Sequence, residues 1–127
     1  MVLVDSSFWI AIERGYIDFL DVLSEEEDIA ICPIVVLEVL RGTTAGQRKK
    51  TRALLMRAKM IDSPTPLERF EDAAQIYVSC RKAGITPSTS DTLIAACAIA
   101  HGIPLLHDDS DFEHIAGTTP LKTLTRS

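Results

Sequence analysis

The sequence predicts an α/β fold, in which a short, mostly parallel sheet lies between two layers of helices. Its apolar runs are short, rich in β-branched and aliphatic residues, and apolar at every position rather than at alternate ones. Segments with helical spacing separate these runs. Strands that are apolar on both faces are typical of parallel sheets that helices cover on each side. The length of 127 residues fits one domain, residues 1–127, around a single core.

The first half of the chain contains two predicted strands and three helices. The run at 2–4 predicts a buried strand, and helices follow over 7–14 and 16–24, on either side of a glycine. The run at 29–32 predicts the second strand. A proline in the first helical position opens the next helix, over 33–40, and a glycine soon follows its end.

The second half begins with a strongly basic segment, which predicts a helix over 47–60. Pro66 starts a long helix over 67–83, and Gly102 ends an alanine-rich helix over 91–101. The remaining predicted elements are a strand at 105–106, a short helix at 111–116 and an edge strand at 121–124.

Composition places the chain among ordinary globular proteins, with 46% hydrophobic and 24% charged residues. Its first residues show no basic n-region, and no stretch approaches the roughly 18 consecutive apolar residues of a membrane helix. We therefore expect neither a signal peptide nor a membrane span. Its three cysteines are odd in number and show no C-x-x-C spacing. We therefore expect reduced core thiols in a cytoplasmic protein, without zinc or disulfide roles.

The net charge of −5 by itself argues against a nucleic-acid partner. The basic residues are, however, concentrated in one segment. Seven of the 13 Lys and Arg residues lie between Arg41 and Lys59. In the predicted basic helix, Arg48, Arg52 and Lys59 share one face, which either steers RNA or is simply solvated. An acidic total with one basic segment still permits a polyanionic substrate.

Four carboxylates are expected to meet at one edge of the sheet. Asp5 directly follows the first strand, and Asp109 follows the strand at 105–106. Asp91 lies in the first turn of its helix, and Glu38 lies in the helix after the second strand. Ligands of parallel sheets bind beyond the carboxyl ends of the strands, so this edge is the predicted site.

Each acid also has a purely structural interpretation. Asp5 and Asp109 suit helix caps, and Ser88 with Asp91 fits an S-x-x-D capping box. Glu38 fits this interpretation least, because it lies in an apolar run where an unpaired buried carboxylate costs several kcal/mol. Its structural alternative is an exposed ion pair with Arg41, worth about 0.3–0.5 kcal/mol.

Clustered carboxylates without flanking His or Cys ligands favour hard cations such as Mg²⁺ or Mn²⁺. Two such ions can activate water and stabilise the leaving oxygen in phosphoryl displacement. Hydroxyls at Ser6 and Ser7 are placed to orient the acids. Without metal, mutual repulsion is expected to raise the pKa of at least one acid.

Four segments, each containing one of the acids, resemble the motifs of the PIN-domain family in order and spacing. They are 2–7 (VLVDSS), 36–42 (VLEVLRG), 90–98 (SDTLIAACA) and 105–112 (LLHDDSDF). The resemblance covers essentially the whole chain and is greatest for the VapC-type toxins of prokaryotic toxin–antitoxin pairs. It implies a metal-dependent endoribonuclease, usually homodimeric, that a cognate antitoxin neutralises.

The resemblance assigns catalytic and metal-binding roles to Asp5, Glu38, Asp91 and Asp109, while Asp111 matches a metal-binding acid that is less constant in the family. His107 departs from the Ser or Thr common at its position, and we expect it to cap a turn or face solvent rather than touch substrate. Two alternatives remain: a DNA- or structure-specific nuclease with the same site, and a non-catalytic PIN module that binds RNA or protein.

Overall fold

The computed structural model describes residues 1–18, 21 and 28–125. Strands and helices alternate for most of this length. They are β1 (Val2–Val4), α1 (Ser6–Glu13), β2 (Ile29–Ile31), α2 (Pro33–Leu40), α3 (Ala45–Leu55), β3 (Lys59–Met60), α4 (Leu67–Lys82), α5 (Thr89–His101), β4 (Leu105–His107), α6 (Ser110–Ala116) and β5 (Thr123–Thr125).

The five described strands form one sheet in the order β3-β2-β1-β4-β5, flanked by helices. Every neighbouring pair is parallel, so the sheet is parallel throughout rather than mostly parallel. The chain adds β2 and β3 on one side of β1, and β4 and β5 on the other. The side to which the chain adds strands therefore changes between β1 and β4. The carboxyl ends of these two strands flank the crevice where such sheets bind ligands.

The strands β1, β2 and β4 are buried at every position, as their continuous apolar runs predict. Trp9, Phe8 and Phe112 are the largest fully or almost fully buried side chains that pack with them. All three cysteines are buried and free, which agrees with the predicted core thiols. Within the described part of the chain, no helix has both the length and the apolarity that crossing a bilayer requires.

The basic segment departs from the predicted helix over 47–60. Helix α3 begins earlier, at Ala45, because Thr44 and Gln47 form a capping box ahead of it. It ends at Leu55, and Lys59–Met60 instead pair with β2 as strand β3. Hydrogen bonding to the open edge of β2 outweighs the local helical preference there.

This change removes Lys59 from the predicted basic face, because Lys59 now lies on an edge strand and not beside Arg48 and Arg52. The final strand also begins later than expected, at Thr123 rather than Leu121, and Leu121 is buried ahead of it. The helix predicted over 16–24 falls mostly outside the described residues.

Candidate active site

The first acid lies at the switch between β1 and β4. Asp5 immediately follows β1, and its backbone N–H donates to the carbonyl oxygen of Leu106 on β4 at 3.0 Å. Its side chain is the N-cap of α1, and the residue is only 4% exposed. The cap interpretation is therefore correct for Asp5. It does not displace the site interpretation, because the cap places this buried carboxylate at the carboxyl edge of the sheet.

Two serine hydroxyls hold the carboxylate of Asp5 and join it to Glu38. Ser7 Oγ donates to Asp5 Oδ2 at 2.8 Å. Ser6 Oγ lies 3.1 Å from Glu38 Oε1 and 3.4 Å from Asp5 Oδ1. A single hydroxyl proton is thus shared between two carboxylates that are 33 positions apart in the sequence, and Ser6 fixes their separation.

Glu38 has its predicted inward orientation. Its side chain is 12% exposed, whereas that of Arg41 is 69% exposed. The two are joined only loosely, at 3.9 Å between Glu38 Oε2 and Arg41 Nη2. An ion pair of this length to a solvated guanidinium contributes little, so the inward position of Glu38 needs another explanation.

Asp91, Asp109 and Asp111 form the other part of the site. Each offers a carboxylate oxygen, and these oxygens lie within 4.8 Å of one another. The capping predictions also hold, since Ser88 Oγ accepts from the backbone N–H of Asp91, and Asp109 Oδ1 accepts from that of Asp111. Asp109 and Asp111 are exposed, so the site opens to solvent.

The negative charges of the other three predicted catalytic acids reach Asp91. The pKa of Asp91 is raised to about 7, first by burial and then by the negative charge of Asp5, with further contributions from Asp109 and Glu38. A hydrogen bond to Ser88 opposes the rise. A raised pKa was predicted from mutual repulsion, but desolvation of Asp91 is the larger cause.

This arrangement fits a divalent cation. The donor atoms are carboxylate oxygens, which Mg²⁺ and Mn²⁺ prefer. A cation among them would offset the negative charges of Asp5, Asp109 and Glu38, which add to the effect of burial in raising the pKa of Asp91. The carboxylate oxygens of Asp91, Asp109 and Asp111, which lie within 4.8 Å of one another, could share one ion. Asp5 and Glu38 lie outside this group of three, and their charges raise the pKa of Asp91.

The model of the PIN domain matches residues 2–118. A VapC ribonuclease of Mycobacterium bovis is 37% identical over 96% of both chains. The chain belongs to the VapC branch of the PIN-domain family. Among solved structures, VapBC2 from Rickettsia felis bound to a promoter DNA fragment has a TM-score of 0.81 at 19% identity, covering 100% of both chains. A toxin–antitoxin complex from Klebsiella pneumoniae has a TM-score of 0.65 at 25% identity, covering 96% of this chain and 99% of that one.

In this PIN domain His107 caps the turn that leads into α6, which is one of the two roles expected for it. It is 1% exposed, so the expected solvent position is wrong. Its Nδ1 accepts from the backbone N–H of Asp109 at 3.0 Å, which leaves the ring proton on Nε2 to donate to Glu113 at 2.7 Å. His107 therefore fixes the backbone at the start of the Asp109 motif. The pKa of Glu113 is lowered by the Thr123 hydroxyl and by this hydrogen bond.

Ser6 is a positioning residue that permits a direct test of this PIN-domain site. We expect Ser6→Ala to raise the Mg²⁺ concentration for half-maximal cleavage about 10–100-fold, as loss of a group that orients metal ligands commonly does. The maximal rate at saturating Mg²⁺ should fall much less, because all carboxylates remain. Ser79→Ala, on α4 and away from the acids, is the matched control. An equal loss of rate at every Mg²⁺ concentration would contradict the positioning role.

Proposed function

We propose that this chain is a Mg²⁺- or Mn²⁺-dependent endoribonuclease and the toxin of a type II toxin–antitoxin pair. The main observation for this is the convergence of Asp5, Glu38, Asp91 and Asp109 at the switch point of the sheet, with the raised pKa of Asp91. The resemblance to proteins named VapC ribonucleases supports RNA as the substrate. On this proposal residues 1–127 act as one nuclease domain in the cytoplasm.

The carboxylates of these four residues would hold the metal, with Asp111 as an additional ligand beside Asp91 and Asp109. When bound, divalent ions supply an activated water and stabilise charge on the leaving oxygen of the phosphodiester. The protein's own part is to hold the acids in place: Ser6 and Ser7 fix Asp5 and Glu38, and His107 fixes the start of the Asp109 loop. The exposed Asp109 and Asp111 leave room for a polymeric substrate.

Metal dependence and substrate class are tested together. RNA and DNA of the same sequence are incubated with the purified protein in Mg²⁺, in Mn²⁺ and in excess EDTA. We expect RNA cleavage in either metal and none in EDTA. Preferential cleavage of DNA would favour the alternative nuclease, and unchanged stability on metal addition together with no cleavage would favour a non-catalytic module.

An acidic, solvent-open site within a protein of net charge −5 is a natural target for an inserted guanidinium. We propose that the antitoxin places an Arg from its C-terminal segment among the site carboxylates and so excludes metal and RNA. Coexpression with the product of the adjacent gene should yield a stable complex without nuclease activity. Replacing the responsible Arg of that product with Ala should restore cleavage, and recovery of uncomplexed, active toxin in the first experiment would contradict the proposal.

The homodimer that the resemblance implies has a suitable surface on α4. Leu67, Phe70, Tyr77 and Val78 are between 41% and 76% exposed. Together with Thr89 and Leu93 of the neighbouring segment, three of them border a groove of about 470 Å³. Contiguous exposed apolar residues of this kind mark interaction surfaces. We propose that this face contacts the second subunit.

We expect Phe70→Glu to convert a dimer into a monomer in light scattering at micromolar concentration, because it places a charge within an apolar contact. Met56→Glu is the matched control, since Met56 is also an exposed apolar residue, 38% exposed, but lies after α3. A wild-type mass equal to that of one chain would contradict the dimer, and an unchanged dimer in Phe70→Glu would contradict this interface.

A further inference from the structure

A second cluster of potential ligands lies apart from the nuclease acids. Cys97 and His101 are one turn apart on α5, and Asp62 follows β3 by two residues. The cysteine sulfur, an imidazole nitrogen and a carboxylate oxygen of these residues lie within 4.8 Å of one another. His101 Nε2 is 2.8 Å from Asp62 Oδ1. Three chemically different ligand types therefore converge at the end of α5 opposite to Asp91.

Asp62 is held in place from its other side. Arg69 Nε donates to Asp62 Oδ2 at 2.7 Å, and Arg69 Nη1 pairs with Asp72 at 2.9 Å. Arg69 is only 8% exposed, so this support is buried. Asp62 also has φ 55, a left-handed conformation that non-glycine residues adopt infrequently. Arg69 thus fixes one oxygen and leaves Oδ1 directed towards His101 and Cys97.

The charges around this position match those of a dication once Cys97 is deprotonated. The carboxylates of Asp62 and Asp72 and the thiolate form of Cys97 are opposed by one guanidinium, that of Arg69. This leaves two negative charges that a divalent ion would neutralise. Thiolate and imidazole ligands favour Zn²⁺ and similar transition metals, whereas the all-carboxylate nuclease site favours Mg²⁺ or Mn²⁺.

We propose that Asp62, Cys97 and His101 form a second metal site, specific for a Zn²⁺-class cation and separate from the nuclease centre. Three protein ligands leave a fourth position for water. The side chain of His101 is 35% exposed, which gives the ion a route from solvent. His101 lies ten positions after Asp91 on α5, which corresponds to about 15 Å along the helix axis.

Binding must displace a proton from the cysteine. The hydrogen bond with Cys32 raises the pKa of Cys97 most, and burial and the nearby Asp62 raise it further, so its thiol is protonated before the metal binds. Metal binding at thiol ligands releases protons and couples to folding. The bound ion would fasten α5 to the segment between β3 and α4, and it would therefore stabilise the folded protein.

The site is tested with Co²⁺ as a spectroscopic stand-in for Zn²⁺. We expect Co²⁺ added to the metal-free protein to produce a thiolate-to-metal charge-transfer band, which carboxylates of the nuclease site cannot produce, and Zn²⁺ to abolish it by displacement. His101→Gln and Cys97→Ser should each weaken binding by more than the roughly 10–100-fold typical of a merely supporting residue. His101 is exposed, so His101→Gln is expected to fold even if Cys97→Ser does not.

Matched controls are available for both ligands. Cys80→Ser alters another buried free cysteine, on α4, and His114→Gln alters another exposed histidine, on α6. Both should retain the band, as should Asp109→Asn, which changes only the nuclease site. Cobalt binding without a charge-transfer band, or a band that survives His101→Gln at unchanged affinity, would overturn the proposal. It can fail while RNA cleavage is observed, so it stands independently of the proposed function.

Discussion

Replacing Asp91 with Asn should lower the rate of RNA cleavage on the order of 10³-fold or more, since such a change removes a ligand to the ions that stabilise the transition-state charge. Asp5→Asn should have a similar effect, because Asp5 is buried at the centre of the serine network. The measurement is the single-turnover rate on a labelled RNA at saturating Mg²⁺. The structure predicts retained folding in Asp91→Asn, because the cap bond to Ser88 uses the backbone N–H of residue 91.

The control for this experiment is Glu71→Gln, which removes one negative charge from an exposed position on α4. It should leave the rate within about twofold of wild type, since screened surface charges act weakly at a distance. Parallel purification of all variants also reveals a contaminating nuclease, whose activity would persist in both site variants. An Asp91→Asn protein with more than a tenth of wild-type activity would contradict the assignment of Asp91 to the site.

The same substitution should increase the stability of the metal-free protein. In the folded state the pKa of Asp91 is raised to about 7, from the ordinary value of 3.8 for an Asp side chain. A raised carboxyl pKa means that the folded state binds the proton more tightly, so ionised Asp91 destabilises folding above pH 7. This half-buried group should cost on the order of 2 kcal/mol there, after allowance for the surrounding solvent. Asp91→Asn removes that penalty.

The raised pKa of Asp91 also predicts how the stability of the metal-free protein depends on pH. Acidification from pH 8 should stabilise the metal-free wild type as Asp91 takes up its proton, and the advantage of Asp91→Asn should shrink over that range. Below about pH 4 the trend should reverse, because Asp62 and Glu113 have lowered pKa values and lose stabilising interactions when protonated. Thermal unfolding in EDTA from about pH 3 to pH 8 measures both trends.

Millimolar Mg²⁺ should raise the melting temperature of the wild type and raise that of Asp91→Asn less, since the variant has lost a ligand. Glu71→Gln again serves as the control for net charge. A lower melting temperature for Asp91→Asn in EDTA at pH 8 would show that its carboxylate stabilises α5 as a helix-terminal charge, and that repulsion within the cluster is the smaller effect.

Much of the site could be predicted because its positions are set locally. The apolar run before Asp5 and the one before Asp109 each form a strand, and an acid that directly follows a parallel strand must lie at the carboxyl edge. The proline at the first position of α2 and the serine before α5 likewise set the helices that contain Glu38 and Asp91. Each of these signals spans only a few residues, so it can be recognised in the sequence without knowledge of the tertiary contacts.

The features that the sequence did not reveal depend on contacts between distant segments. Lys59–Met60 form a strand because the edge of β2 offers hydrogen-bond partners. His107 is buried because β4 lies between two other strands and its ring packs against Phe112. The cluster of Asp62, Cys97 and His101 joins two distant segments, since Asp62 and His101 are 39 positions apart in the sequence.

The sequence by itself therefore determined which acids reach the edge of the sheet, and with it the family to which the chain belongs. Only the tertiary structure decided how strongly these acids affect one another, because the raised pKa of Asp91 depends first on its burial and then on charges from three other segments. Local patterns specify where strands and helices begin and end, and so which residues follow each strand. Desolvation and Coulomb energies depend instead on the distances that packing sets between segments.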